Sequence, residues 1–267
     1  MIKRLINQLL TPLTILFRKS LLEGKFPDKW KTAHVIPIYK GAGTKDSPEN
    51  YRPISLTSVV GKILEKFLYP QLEKYFDING FIKNNQFGFK KGRSVCLQLL
   101  SFKNYLEKCL ENNEPVDVLY LDFKKAFDTV PHKKLILKLE SCGVGGKVLQ
   151  FIESFLINRI QYVKIQSNLS DSVKVLSGVP QGSVLGPLLF SFYVSDLAAA
   201  VKNSFILFFA DDTKIFLKIT QNGNLKIQND LDSVIAWSEK WQIDLNFVKS
   251  KCLHFGKGNP KFIYNLN

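Results

Sequence analysis

Two adjacent carboxylates, Asp211 and Asp212, stand between two runs rich in apolar and β-branched residues, 204–209 and 213–219. Runs of that kind around a short break read as a β-hairpin, which places the pair at its tip. On its own such a pair is ordinary turn chemistry, because short polar side chains hydrogen-bond their own backbone in turns. A third carboxylate changes the reading. Residues 116–121 form an almost unbroken apolar run, the pattern of a buried strand, and the run ends on Asp122. Two neighbouring strands that each deliver an aspartate to one end of a sheet make an all-oxygen site for a hard divalent cation. Mg²⁺ is commonly held by one or two carboxylates plus substrate phosphates. Two such ions about 3.5–4 Å apart clamp the attacking and leaving oxygens of a phosphoryl transfer.

At 267 residues the chain is long enough for one large domain or two packed subdomains. With 45% hydrophobic and 22% charged residues it is globular rather than disordered. Lys and Arg number 37 against 23 acidic residues, a net charge of +14 that points to a polyanionic partner, although charge alone equally describes a basic protein with solvated faces. Cys96, Cys109, Cys142 and Cys252 show neither CxxC nor Cys/His ligand spacing, so free thiols in a reducing, intracellular compartment are expected. Residues 1–17 carry early basic residues, but Asn7, Gln8, Thr11 and Pro12 interrupt the apolar ones, which suits an amphipathic helix better than a signal peptide. The most apolar later run, 183–194, is too short to span a bilayer, and no membrane partner is expected.

Along the chain, residues 2–22 read as one or two helices broken near Pro12, and 32–39 alternate like a strand. A polar loop over 41–50 follows, flanked by Lys40 and Arg52. Thr57 or Ser58 then caps a helix with Val59, Val60, Ile63, Leu64, Phe67 and Leu68 as its packing stripe. The stretch Gln86-Phe87-Gly88-Phe89-Lys90-Lys91-Gly92-Arg93-Ser94 is basic, and its two aromatics either stack on bases or pack inward. Ser94 caps a helix with Val95, Leu99, Phe102, Leu106 and Cys109 as its stripe. After Asp122 a helix reaches about Ser141, and His132 in it reads as structural for want of an orienting partner. A second hairpin is expected from 160–166 and 172–176, then a Gly-containing turn around Gln181 that lets a ligand approach the backbone. A helix over 184–200, an amphipathic helix over 225–241 burying Leu231, Val234, Ile235, Trp237 and Trp241, and a strand over 252–255 complete the pattern.

Three segments now stand in order: Leu119-Tyr120-Leu121-Asp122-Phe123-Lys124-Lys125-Ala126-Phe127-Asp128, the run from Gly178-Val179-Pro180-Gln181-Gly182 to Phe190, and Phe209-Ala210-Asp211-Asp212. Together they resemble the palm motifs of reverse transcriptases from non-LTR retrotransposons of the long interspersed, jockey-like kind. The resemblance extends over roughly residues 26–256.

The resemblance implies an α+β right-hand polymerase. Fingers would span residues 1–112 and a ferredoxin-like palm residues 113–267, with the thumb largely missing, as in a fragment of a longer reading frame. It implies an RNA-directed DNA polymerase, a nucleotidyltransferase using two Mg²⁺ ions, or Mn²⁺ in their place, with an RNA template, a DNA primer and deoxynucleoside triphosphates as partners, in nucleus or cytoplasm. By motif position Asp122 and Asp211 bridge the metals, Asp212 assists, and Asp128 supports them by hydrogen bonding. Lys40 and Arg52 meet the triphosphate, Gln181 lies beside the incoming nucleotide, and Phe127 lies under its deoxyribose. Lys91, Arg93 and Gly182 follow the template, Phe255 and Gly256 grip the primer, and Lys249, in an Asn-x-x-Lys pattern, protonates the departing pyrophosphate. Each of these lysines and arginines also reads as a solvated surface charge, and Phe127 as plain core. A catalytically inactive remnant that only binds nucleic acid is the alternative. A viral RNA-dependent RNA polymerase is disfavoured by Phe209-Ala210 before the aspartate pair, where that class usually has Gly.

Overall fold

The computed structural model describes residues 5–220 and 222–265. In chain order the elements are α1 (Ile6–Glu23), β1 (Thr32–Tyr39), β2 (Tyr51–Leu56), α2 (Val59–Ile78), α3 (Val95–Glu111), β3 (Val116–Leu121), α4 (Ala126–Thr129), α5 (His132–Ser141), α6 (Gly146–Leu156), β4 (Arg159–Ile165), β5 (Asn168–Leu169), β6 (Val173–Val175), α7 (Leu185–Val194), α8 (Leu197–Ala200), β7 (Phe205–Phe209), β8 (Asp212–Lys218), α9 (Gly223–Trp241) and β9 (Lys251–Phe255). They divide into two compact units, Met1–Glu73 with Pro131–Gly186, and Lys74–Val130 with Pro187–Asn267.

The first unit is built on a sheet in the order β2-β1-β4, with β5 and β6 both paired to β4. β1 runs antiparallel to β2 from His34↔Leu56 to Tyr39↔Tyr51, and parallel to β4. Phe26 packs edge-on against Phe151 and Phe155 at 5.7 and 5.2 Å, so α6 contributes two of the largest core rings. The expected start of the first helix, Ile2, lies outside the described residues. From Ile6 onward α1 is unbroken through Pro12, contrary to expectation. Pro12 and Gln8 are both exposed, so water can solvate the carbonyl that the missing N–H leaves without a partner. Ser58 caps α2 as predicted, its Oγ accepting from the Gly61 N–H at 3.2 Å. Of the predicted stripe Leu64 and Leu68 are buried, whereas Val59 and Phe67 are 62% and 60% exposed and belong to the solvent edge of that face.

The second unit holds an antiparallel sheet in the order β7-β8-β3-β9. Numbered by their own sequence, β3, β7, β8 and β9 are first to fourth and lie in the order 4-1-3-2, the ferredoxin-like arrangement that the palm resemblance implied. β3 is central, and its Val116 and Val118 pack with Phe102, Cys109 and Phe216. Ser94 caps α3 as predicted, accepting from the Leu97 N–H. The buried arc of α3 is centred on Gln98, Phe102 and Cys109, which leaves Val95 and Leu99 exposed at its margin rather than in the stripe. α9 buries Ile227, Leu231, Val234 and Trp237, while Ile235 and Trp241 are half-buried.

The single helix expected over 184–200 is two helices, α7 and α8. Ser195 Oγ turns back to donate to the Phe192 carbonyl at 2.7 Å, and Asp196 accepts from Trp237 Nε1 at 2.9 Å. Short polar side chains that find such partners compete with helix continuation. All four cysteines are free. No helix among the described residues is long and apolar enough to cross a membrane.

Candidate active site

The register of the second unit's sheet brings the three aspartates to one end of it. β3 pairs with β8 up to Leu121↔Thr213, so Asp122 emerges one residue beyond the last pair, level with the start of β8 at Asp212. β7 and β8 close through Phe209↔Asp212, leaving Ala210 and Asp211 as a two-residue turn. Ala210 takes φ 58°, a left-handed conformation such turns usually give to glycine.

Electrostatics show that the carboxylates sense one another. Burial, followed by the charges of Asp212 and Asp122, raises the Asp211 carboxyl above its ordinary value. Burial and Asp122 raise Asp212 likewise, with Lys214 opposing. Like charges drawn together at a half-buried sheet end are costly until a cation neutralises them.

Asp122 is tied down by residues that the sequence reading passed over. Its side-chain Oδ2 accepts from Asn246 Nδ2 at 3.0 Å, its carbonyl accepts from the Asn246 N–H at 2.7 Å, and its own N–H donates to Ser250 Oγ at 3.2 Å. Asn246 begins the Asn-x-x-Lys pattern that ends in Lys249. Lys249 itself is exposed, with its N–H on the Asn246 carbonyl at 3.1 Å.

Phe127 sits in α4, half-buried, with its ring stacked on Phe190 at 4.2 Å and 18° and met edge-on by Phe89 at 5.8 Å. Asp128, next in α4, is half-buried. In the basic stretch Phe87 packs inward at 4% exposure, and the Arg93 guanidinium lies over its ring at 4.9 Å. Phe89 is 51% exposed and Lys91 is exposed, so of the two aromatics only Phe89 is open to a partner. The side chain of Gln86 turns inward onto the turn at Ala210.

Beyond β9, Gly256 takes φ 97°, and a Cβ there would come within 2.9 Å of Pro115 Cα, so close packing alone requires glycine. Phe255 is half-buried and pairs with Val116. Asp117, fully buried on β3, accepts from His254 Nδ1 at 2.7 Å, Asn259 Nδ2 at 2.8 Å and Tyr264 Oη at 2.6 Å, which fastens the segment after β9 to the sheet.

The first unit carries the remaining predicted residues. Lys40 is exposed and donates through Nζ to the Glu49 carbonyl at 2.6 Å, while Arg52 is exposed on β2 opposite Ile38. The loop bearing Gln181 is held at several points. The Gln181 carbonyl accepts from the Ser55 N–H at 2.7 Å, and His132 Nε2 lies 2.8 Å from the Gly178 carbonyl oxygen. Glu65, 1% exposed, accepts from the N–H groups of Val184 and Leu185 at 2.6 and 2.9 Å. Burial raises the Glu65 carboxyl and lowers His132, which supports the structural reading of that histidine. Gly182 takes φ 122°, and a Cβ would lie 2.5 Å from the Ser55 carbonyl oxygen.

Among the described residues no group of three or more His, Cys, Asp and Glu side chains could by itself hold a metal ion. The donor set at the turn is nonetheless of the kind that a hard cation takes. It offers only oxygens, and Asp122 raises the pKa values of both Asp211 and Asp212.

A family model described as reverse transcriptase (RNA-dependent DNA polymerase) matches residues 40–263. The chain belongs to the reverse transcriptase family. This reverse transcriptase chain is 32% identical over 257 residues to the RNA-directed DNA polymerase from mobile element jockey of Drosophila melanogaster, with 93% of the chain and 28% of the relative covered. It is 28% identical over 247 residues to the probable RNA-directed DNA polymerase from transposon BS of the same organism, covering 89% of the chain and 27% of that relative. The jockey-like, non-LTR resemblance read from the motifs is thereby shown, and the chain spans less than a third of the length of these relatives. Among solved structures, apo telomerase from Candida tropicalis truncated from its C-terminal domain superposes with a TM-score of 0.61 at 14% identity, over 86% of this chain and 51% of that one. Telomerase from Candida albicans in complex with a TWJ fragment of telomeric RNA gives 0.60 at 15% identity, over 90% and 45%. The fold is the fingers-palm polymerase fold that the reverse transcriptase motifs predicted.

Proposed function

We propose that this reverse transcriptase domain is an RNA-directed DNA polymerase of a non-LTR retrotransposon, extending a DNA primer along an RNA template. The observation that carries the proposal is the register that sets Asp122 level with Asp212 beside the Asp211 turn, with the charges of the three coupled. The names of the two Drosophila relatives support the reaction, and the telomerase solved with its RNA supports an RNA partner.

In the proposed step the primer 3′ hydroxyl gives up its proton to water, and its oxygen forms a bond to the α-phosphorus of a deoxynucleoside triphosphate. The bond from that phosphorus to the bridging oxygen breaks, and pyrophosphate leaves. Asp122, Asp211 and Asp212 would hold two Mg²⁺ ions, which supply charge neutralisation for the attacking and leaving oxygens. Asn246 and Ser250 keep Asp122 in place, as outer hydrogen-bonding partners do at metal sites. Lys40 and Arg52 bind the triphosphate; the Arg fork suits phosphate oxygens and the Lys supplies a compact charge. Gln181 borders the nucleotide, Phe127 walls off its sugar, and Lys249 donates a proton to the leaving pyrophosphate. Lys91, Arg93 and Gly182 follow the template strand, Phe255 and Gly256 the primer. Residues 1–112 then act as fingers and 113–267 as palm.

Primer extension on an RNA template with Mg²⁺, and then Mn²⁺, tests this reading. Stepwise extension supports it. Salt-sensitive binding of primer–template without extension by either ion would instead mark an inactive nucleic-acid-binding remnant.

A further inference from the structure

We propose that Gln86 is a positioning residue for the carboxylate turn, its carboxamide clipping Ala210 into the left-handed conformation that aims Asp211 and Asp212. The inference rests on the polymerase reading of those aspartates. Gln86 lies in the basic stretch whose motif suggests contact with template, yet its side chain is 2% exposed and points into the protein. Its Oε1 accepts from the Ala210 N–H at 3.0 Å and from the Gly88 N–H at 2.8 Å, while Nε2 donates to the Ala210 carbonyl at 3.3 Å. One amide therefore satisfies both polar groups of a residue that is 7% exposed.

The surrounding backbone reinforces the clip. The Phe87 N–H donates to the Phe208 carbonyl and the Phe208 N–H to the Asn85 carbonyl, both at 2.9 Å, forming a parallel bridge between Gln86 and Phe208. Gly88 must be glycine for this approach, because a Cβ there would stand 2.2 Å from the Ala210 nitrogen.

The chemistry of the clip is narrow. Ala210 at φ 58° adopts a backbone conformation disfavoured for any residue with a Cβ, and such outliers persist only where their surroundings enforce them. The turn is two residues long, so a change of Ala210 φ redirects Asp211 and Asp212. The glutamine amide presents a donor and an acceptor side by side without carrying charge or depending on protonation. Leucine would keep the approximate shape and lose both; glutamate would keep the acceptor, lose the donor and add charge beside the carboxylates.

The test uses the whole chain as wild type, Q86L, A210G and Q86L/A210G, with D211N as the inactive control. Amide hydrogen exchange over residues 208–213, primer–template affinity, and kcat and KM for the matched nucleotide are measured. Expected are lost protection of the Ala210 amide in Q86L, a fall in kcat of about 10–100-fold with primer–template affinity retained, and a smaller loss in A210G. The double variant should recover part of that kcat, because glycine adopts positive φ without strain. Wild-type kcat in Q86L, or a loss that A210G does not relieve, overturns the inference. If Q86L does not fold, Q86M replaces it, keeping the length of the side chain without its amide: reduced kcat in a folded Q86M supports the clip and wild-type kcat overturns it. A wild-type chain that never extends a primer defeats the polymerase reading instead, and the exchange data still decide whether Gln86 holds Ala210.

Discussion

Asn246 holds Asp122 twice, by its side-chain Nδ2 on the carboxylate at 3.0 Å and by its backbone N–H on the Asp122 carbonyl at 2.7 Å. The carboxylate to which the proposed mechanism gives a cation is thus oriented from the loop before β9. Asn246→Ala removes the side-chain bond and keeps the backbone one. The expected outcome is a loss of activity of about 10–100-fold with a raised Mg²⁺ requirement. The accompanying stability loss should be only about 1 kcal/mol. A Mg²⁺ titration of extension rate checks it; an unchanged half-saturation would remove Asn246 from the site.

Asp211 has a raised carboxyl pKa in the metal-free fold, chiefly through burial. The folded state therefore holds the proton more tightly than the unfolded one. Its stability contribution is fully present below the ordinary value of 3.8 and is lost as pH rises through the raised value. Asp211→Asn cannot ionise and escapes that loss. Chemical denaturation without metal should find D211N at least as stable as wild type at neutral pH, with the advantage vanishing in acid. A less stable D211N at neutral pH would contradict the cost of burying that charge beside Asp212 and Asp122.

Glu65 predicts a purely structural phenotype. Glu65→Ala strands two N–H donors at the start of α7, that of Leu185 buried, and removes the charge that faces Arg159. Loss of about 2–3 kcal/mol is expected, seen as a lower denaturation midpoint with an unchanged slope. A midpoint equal to wild type would show that water replaces the carboxylate.

Phe127 separates two readings that its stacking on Phe190 leaves standing. As a wall against the 2′ hydroxyl, Phe127→Val should raise ribonucleotide use relative to deoxynucleotide use. As core it should only destabilise, by about 1–2 kcal/mol for a half-buried ring. The ratio of kcat/KM for matched deoxy and ribo substrates decides, since losses of folded protein cancel in it. An unchanged ratio sinks the wall.

The sheet end was legible because strands announce themselves locally. The apolar run ending on Asp122 became β3, and the break at Ala210-Asp211 became the β7–β8 turn. What held these residues was not legible. Gln86 and Ala210 are 124 positions apart, as are Asn246 and Asp122, and a single polar side chain carries no periodic signal of its distant partner. Nor did the basic character of residues 86–94 reveal that its glutamine faces inward while Phe89 and Lys91 face solvent. Helix stripes failed at their margins for a related reason. Val95 and Val59 fit the helical period, but the arc that is covered depends on what packs against it. The break between α7 and α8 hung on Ser195 and Asp196 finding partners, one of them in another helix.

The most direct measurement compares D122N, D211N and the double variant in single-turnover extension of a DNA primer on an RNA template. Carboxylates that serve the same cations act as a unit, and removing members of a unit is far from additive. Each single variant is predicted to lose nearly all extension, and the double variant to lose little more than either. Multiplicative losses in the double variant, or extension by D211N at the wild-type rate, would contradict a single centre built from β3 and the β7–β8 turn.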